Sequence, residues 1–354
     1  MKYLLKIQEK IVPELISIVE NRYTILRNIY YYQPIGRRAL AEKTNISERL
    51  VRKELDFLYG RGLVKVYRSG TILTELGSKF LPELDKYMKE LKGIRTLEEQ
   101  LRECLGIEEV HIVSGGLEPS IIIQEIGRYA ARLLRRLLKD GDILAVTGGT
   151  TLAQVASAMS ENEKPMDIIV VPGRGGLGEE VEIQANTIAA TLAKKLGGRY
   201  HLLHIPDSLQ EENVDIIMAE PSIQRVLKFL EKANILIHGV GSAEIMAARR
   251  DMSREEIEEL KERGAVAEAL GYYFDESGEI VYVTTSVGLH LEDLKDIEKV
   301  IVVAGEPAKA RAILSVVSPL YHNILVTDEA TAREILALKG GEVKNTGSVV
   351  VFSL

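Results

Sequence analysis

Hydroxyls, glycines and cations recur in this chain where short apolar runs give way to helical spacing. In residues 142–159, DILAVTGGTTLAQVASAM, Ile143 to Val146 suit a buried strand, and Leu152, Val155, Ala156 and Met159 recur as on one face of a helix. Between them lies Thr147-Gly148-Gly149-Thr150-Thr151. Glycines let the backbone approach a ligand closely. The first N–H groups of a helix are unpaired, and its dipole favours an anion there. Gly149, Thr150 and Thr151 are thus candidate phosphate donors. No Lys follows the glycines and no G-x-G-x-x-G occurs, so this is neither a nucleotide P-loop nor a dinucleotide fingerprint. By itself the stretch also fits a plain βα turn with Thr150 as an ordinary N-cap.

Three more loops have this character. Ile168–Val171 runs into Pro172-Gly-Arg-Gly-Gly-Leu-Gly178, followed by a helix carrying Gln184 and Asn186. Arg174 offers a bidentate fork there. Ile235–Ile237 leads to His238-Gly-Val-Gly-Ser242 and a helix ending near Arg249-Arg250. Val300–Val303 leads to Ala304-Gly-Glu-Pro-Ala-Lys309, with Pro307 and Lys309 in a first helical turn. Singly, each reads as turn glycines and surface charge. Together on one sheet edge they imply a small, multiply charged anion, with Glu268 in GAVAEALGYYF available to sugar hydroxyls.

The elements that must position these residues alternate across 108–354. Val110–Val113 and Ile324–Val326 complete the set of apolar runs, and amphipathic helices lie between them. Such alternation predicts an α/β fold, a doubly wound and mostly parallel sheet with ligands at the carboxyl ends of its strands. Glu279–Thr285 suits an added edge strand.

Residues 1–77 are different. Leu4, Leu5, Ile11, Leu15, Ile16 and Val19, then Tyr23, Leu26, Ile29 and Tyr30, predict helices up to Pro34. Arg37–Lys43 predicts a short helix, Thr44-Asn45-Ile46 a tight turn, and Ser47 the cap of a second helix to about Tyr59. Val64–Tyr67 and Thr71–Leu73 predict a hairpin. Helix, turn, helix and hairpin describe a winged helix-turn-helix. Arg37, Arg38, Ser47, Arg49, Arg52, Lys53, Lys65 and Arg68 are its candidate DNA contacts, and a small helical domain with a solvated basic face is the plainer alternative. Charge agrees with a DNA-binding head: these residues hold 14 Lys/Arg against 8 Asp/Glu, or +6, in a chain whose net charge is −7, leaving −13 on the rest. Residues 78–107 read as a helical connector or dimerisation segment, with Leu81, Leu84, Met88 and Leu91 as a stripe. Thr96-Leu97-Glu98-Glu99 reads as a capping box opening a second helix. One cysteine, Cys104, and a start without a signal-peptide pattern fit a cytoplasmic protein, and no apolar run is long enough to span a membrane.

The text at Ile11–Ile29, with VTGGTTLAQVA, VVPGRGGLGEEVEIQANTIAA, GVGSAEIMAARR, AVAEALGYYFD and AGEPAKARAI, resembles the SorC family of bacterial transcription regulators. Within that family it is most similar to the branch that controls glycolytic genes in Gram-positive bacteria. The resemblance implies a repressor with no cofactor, a homotetramer (dimer of dimers) on a DNA operator. Its body resembles sugar-phosphate isomerases and deaminases, and fructose 1,6-bisphosphate is the implied effector. By motif, one phosphate falls to Gly149, Thr150, Thr151 and Lys309, the other to Arg174, Gln184 and Arg249 (or Arg250), and the sugar to Glu268. The acidic loop that supplies catalytic carboxylates in the isomerases is absent, and Glu244 stands alone as a base, so catalysis is not expected. An isomerase- or deaminase-like enzyme, or a regulator of this family answering another sugar phosphate, are the alternatives.

Overall fold

The structure, a computed structural model, describes residues 11–340 except 116–117, 162–164, 177–179 and 207–210. The helix expected around Leu4 and Leu5, and Gly178 of the glycine-rich loop, lie outside the described residues. Two compact units are present, one running to Leu97 and including Ser114–Ile121, the other formed by Glu98–Val113 and the chain from Ile122.

The first unit is built on α1 (Pro13–Tyr32), which starts on a proline and buries Tyr23, Ile25, Leu26 and Ile29. Helix α2 (Arg37–Thr44) ends at Asn45, whose left-handed φ of 54° turns the chain. Helix α3 (Glu48–Gly60) starts where the Ser47 hydroxyl accepts from the Leu50 N–H at 3.4 Å. It buries Val51, Leu55 and Leu58, and its buried Glu54 is met by Arg22 at 2.6 Å. Strands β1 (Val64–Tyr67) and β2 (Gly70–Leu73) pair antiparallel with Tyr67 opposite Gly70, so Arg68-Ser69 is the turn and the second strand begins one residue earlier than expected.

Helix α4 (Glu75–Leu91) carries the expected apolar stripe. Its stripe is spent inside the head: Leu81 and Met88 are buried in the core of α1, α3 and the hairpin, and Leu84 and Leu91 pack against it. Helix α5 (Ile94–Leu105) opens at Ile94, not at Thr96. Fully buried Ile94 starts the helix early, and the Glu98 carboxylate accepts from the Ile112 N–H at 2.8 Å.

The second unit holds β3 (Glu109–Val113), α6 (Pro119–Leu137) from Ile122 onward, β4 (Ile143–Val146), α7 (Thr150–Ala158), β5 (Ile169–Pro172), α8 (Ala185–Leu196), β6 (Arg199–Tyr200), α9 (Glu211–Met218), α10 (Pro221–Leu230) and β7 (Ile235–His238). After these come β8 (Gly241–Ser242), α11 (Ala243–Arg249), α12 (Arg254–Glu262), β9 (Ala265–Ala269), β10 (Tyr272–Asp275), β11 (Ile280–Val283), β12 (Lys299–Val303), α13 (Ala310–Val316), β13 (Ile324–Asp328) and α14 (Glu329–Leu338). Seven strands form one wholly parallel sheet in the order β3-β13-β12-β7-β4-β5-β6. All six expected runs are strands in it, and β6 is an unexpected short edge.

The expected edge strand at Glu279–Thr285 is corrected. Strand β11 belongs to a separate antiparallel sheet, β11-β10-β9-β8. That sheet has its own anchor, because fully buried Tyr273 packs with Ala243, Ala247 and Leu260. It matters here because β9 carries Glu268.

Two consequences for stability can be measured. Gly77 lies in the first turn of α4, where alanine is ordinarily more favourable by up to about 1 kcal/mol. A Cβ there would sit 2.1 Å from the backbone oxygen of Leu63. Gly77→Ala is therefore expected to lower the denaturant midpoint, and a raised midpoint would contradict this packing. The second concerns His238 and His322, buried with ring centroids 5.2 Å apart. Burial pushes His238 down to about 4 and, with repulsion from His238, His322 to about 3. Both stay neutral in the fold while the unfolded chain protonates near 6.5. Unfolding then takes up protons below pH 6.5, and stability should fall from pH 7 to 5.5 by up to about 1.4 kcal/mol per pH unit per histidine. Denaturation across that range checks it, and His322→Gln should flatten the slope.

Candidate anion-binding cavity

The loops that follow β12, β7, β4 and β5, four adjacent strands, wall a cavity of about 410 Å³. Gly149, Thr150, Thr151, Arg174, Gln184, Arg249, Glu268 and Lys309 all line it, with Arg250, Glu306 and the backbone of Gly175 and Gly176. Eight residues spread over 161 positions of the chain are thus brought to one place.

After β4, the loop is pinned from outside. The Gly149 N–H donates to the Ile183 oxygen at 2.8 Å, and a Cβ on Gly148 would be 2.8 Å from that oxygen. Gly149, at φ 121°, is the N-cap of α7 and has no side chain to close the helix end. Thr150 is therefore the first helical residue, not the ordinary cap of the plainer reading. The N-cap Gly149 makes no side-chain cap bond, and Thr150 and Thr151 at the start of α7 line the cavity.

Arg174 is only 7 % exposed, yet lines the same space. Its Nη2 donates to Thr284 Oγ1 at 3.1 Å, and Thr284 Oγ1 donates to the Gly271 oxygen at 3.1 Å. The guanidinium lies flat against Gly271, where a Cβ would fall 2.1 Å from Nη1. Gly271 in turn donates its N–H to Glu268 Oε1 at 2.6 Å, and Arg250 Nη2 reaches the same oxygen at 2.9 Å. Arg250 and Glu268 are a buried ion pair, their side chains 5 % and 6 % exposed. Glu268 Oε1 is thus already engaged, and Oε2 is near Gly241. The pair also separates the two arginines, since Arg250 holds Glu268 and Arg249 ends α11 at the cavity. Gln184 is the N-cap residue of α8, its Oε1 beside Gly176. Lys309 closes the ring, its Nζ 2.8 Å from Glu306 Oε2. Thr284, Gly271, Arg250 as a Glu268 partner, and Glu306 were not singled out by type and spacing. Only Glu306, a carboxylate in a strand-end GEP turn, carried a signal.

In the other unit the candidate DNA contacts are all on the surface. Arg37 and Arg38 open α2, Ser47 caps α3, Arg49, Arg52 and Lys53 form the outer face of α3, Lys65 is on β1, and Arg68 is in the turn. Arg38 is loosely paired with Glu48 at 3.9 Å, both well exposed. Val66 and Tyr67 are exposed beside Lys65. Among the described residues no helix is long and apolar enough to cross a membrane.

Residues 18–88 match the family described as "CggR N-terminal DNA binding domain", and residues 89–337 match "Putative sugar-binding domain". With the fold and the cavity, these define a transcriptional regulator that responds to a sugar. The central glycolytic genes regulator of Priestia megaterium is 43 % identical over 338 residues, 95 % of this chain and 99 % of that protein. The central glycolytic genes regulator of Bacillus subtilis is 40 % identical over 337 residues, with 95 % and 99 % covered. The crystal structure of a "putative SorC family transcriptional regulator" from Enterococcus faecalis is 40 % identical, covering 68 % of this chain and 99 % of its own at a TM-score of 0.63. The chain belongs to the SorC family of transcriptional regulators. These relatives are named as regulators, not as isomerases or deaminases.

The contact between Gly271 and Arg174 gives a test. Gly271→Ala adds a methyl group into the guanidinium and strains a backbone at φ 79°. Arg174 must then move, and binding of fructose 1,6-bisphosphate, used as probe, is expected to weaken about tenfold or more in calorimetry. Unchanged affinity would mean that the position of Arg174 does not matter to the ligand.

Proposed function

We propose that this regulator represses glycolytic genes by holding an operator through its first unit, and that fructose 1,6-bisphosphate entering the cavity releases it. The observation that carries this reading is the gathering of Arg174, Arg249, Lys309 and the N-terminus of α7 around one cavity. Its volume is within the ~300–1,000 Å³ usual for small-molecule sites. One phosphate is assigned to Gly149, Thr150, Thr151 and Lys309, the other to Arg174, Gln184 and Arg249. Glu268, oriented by Arg250, is left to meet the sugar between them. An anion phosphorylated at both ends fits such an arrangement better than a monophosphate.

On the DNA side, α3 enters the major groove with Arg49, Arg52 and Lys53 towards base edges. Arg37, Arg38, Ser47, Lys65 and Arg68 meet phosphates. In this reading residues 1–77 hold the operator, 78–107 join head to body, and 108–354 hold the effector. The working form is a dimer of dimers in the cytoplasm, because one head covers too little DNA for tight specific binding. Release requires the effector to prefer a conformation that presents the heads badly, since equal affinity for both states shifts nothing.

The experiment is a titration of sugar phosphates against a preformed operator complex. Fructose 1,6-bisphosphate should dissociate it, and fructose 6-phosphate should do so only at much higher concentration. Arg174→Ala or Arg249→Ala should cost ~2–5 kcal/mol of effector binding, because each leaves a phosphate without its charged partner. Thr151→Ala should cost less, because the helix N–H donors remain. A complex that ignores the bisphosphate, or yields equally to another sugar phosphate, would overturn the assignment of effector.

A further inference from the structure

Glu306 is a carboxylate in a place built for anions. It follows β12, lines the cavity, and pairs with Lys309 at 2.8 Å, the side chains 32 % and 20 % exposed. Its backbone is unusual: φ 84° and ψ 124°, a region that residues with a side chain rarely enter. The conformation is imposed by neighbours. The Glu306 N–H donates to Asp328 Oδ2 at 2.9 Å. Asp328 is buried and fixed in turn by the Thr331 N–H at 3.0 Å and the Thr331 hydroxyl at 2.6 Å, at the start of α14. The residue before it cannot give way, because a Cβ on Gly305 would lie 2.3 Å from Ile126 Cδ1 and 2.6 Å from Asp328 Oδ2. Pro307 limits the chain on the other side. Only the side chain of Glu306 is free to turn, and its partial exposure gives it water to turn into.

We propose that Glu306 is an internal competitor of the effector's phosphate for Lys309, and that this competition makes the site select phosphorylated over uncharged sugars. The inference rests on the reading that Lys309 meets a phosphate. A sugar phosphate carries a charge of about −1.5 to −2 at pH 7 and three acceptor oxygens, against one negative charge on the carboxylate. It can take the ammonium from Glu306, whose side chain then swings towards solvent. A neutral sugar, or a hydroxyl in the same place, has too little charge to break the ion pair and is excluded. The locked backbone keeps Glu306 within reach, so the carboxylate returns when the phosphate leaves.

The test is calorimetry of the full-length protein with fructose 1,6-bisphosphate. Glu306→Gln keeps the shape and removes the charge, and binding should tighten roughly threefold or more, the size of a half-exposed ion pair. Glu306→Gly fits the positive φ without strain, and should bind tighter in the same sense if the first variant does not fold. Lys309→Ala should weaken binding and abolish the gain from Glu306→Gln in the double variant. Unchanged or weaker binding by the Glu306 variants, with the wild type binding normally, overturns the role of Glu306. Failure of the wild type to bind the bisphosphate, or indifference to Lys309→Ala, overturns instead the reading of the cavity on which it rests.

Discussion

Positive charge held close together away from bulk water must be kept in place by the protein itself. Arg174, Arg250 and Lys309 share one cavity wall, and each has a partner in the chain: Thr284 for Arg174, Glu268 for Arg250, Glu306 for Lys309. Without those partners the cations would repel one another or turn out to solvent. The partners differ in kind. Arg174 is held by a hydroxyl and lies against a glycine, whereas Arg250 and Lys309 each meet a carboxylate. The second sheet helps to hold the wall at Arg174. Strands β9 and β10 supply Glu268 and the Gly271 turn, and Thr284 follows β11.

The parallel sheet provides what the second sheet cannot, a row of loops of fixed spacing. Four adjacent strands end along one edge, and their buried Val, Ile and Leu side chains fix the start of each loop. Backbone close approaches then do the fine placement: Gly148 under Ile183, Gly271 under Arg174, Gly305 against Asp328. The first unit uses similar cations under the opposite constraint. Arg49, Arg52 and Lys53 are exposed on α3 and need no buried partner, because water and counterions serve until DNA replaces them.

Much of this was legible in the sequence because it depends on periodicity and local chemistry. The apolar runs became strands, Ser47 became a cap, and the glycine and hydroxyl loops converged. What was not legible depends on pairing across distance. EIVYVTT has the same pattern in any sheet, and only buried Tyr273 with its partners in α11 and α12 assigns β11 to the small one. The spacing of the α4 stripe does not say what it packs against, and in the fold Leu81 and Met88 lie in the core of the first unit. The capping box at Thr96 met every local rule and lost to Ile94, whose burial started the helix two residues earlier. Spacing could not tell which of Arg249 and Arg250 pairs with Glu268, because that partner of Arg250 lies eighteen residues further on.

The central claim is that one cavity holds two anion subsites at a fixed separation. A crystal structure of the protein with fructose 1,6-bisphosphate tests this most directly. The account predicts one phosphorus at the N-terminus of α7 beside Lys309 and the other against Arg174, Gln184 and Arg249, with the sugar between them. A bisphosphate with only one phosphate on these residues and the other in solvent, or bound elsewhere on the molecule, would contradict it.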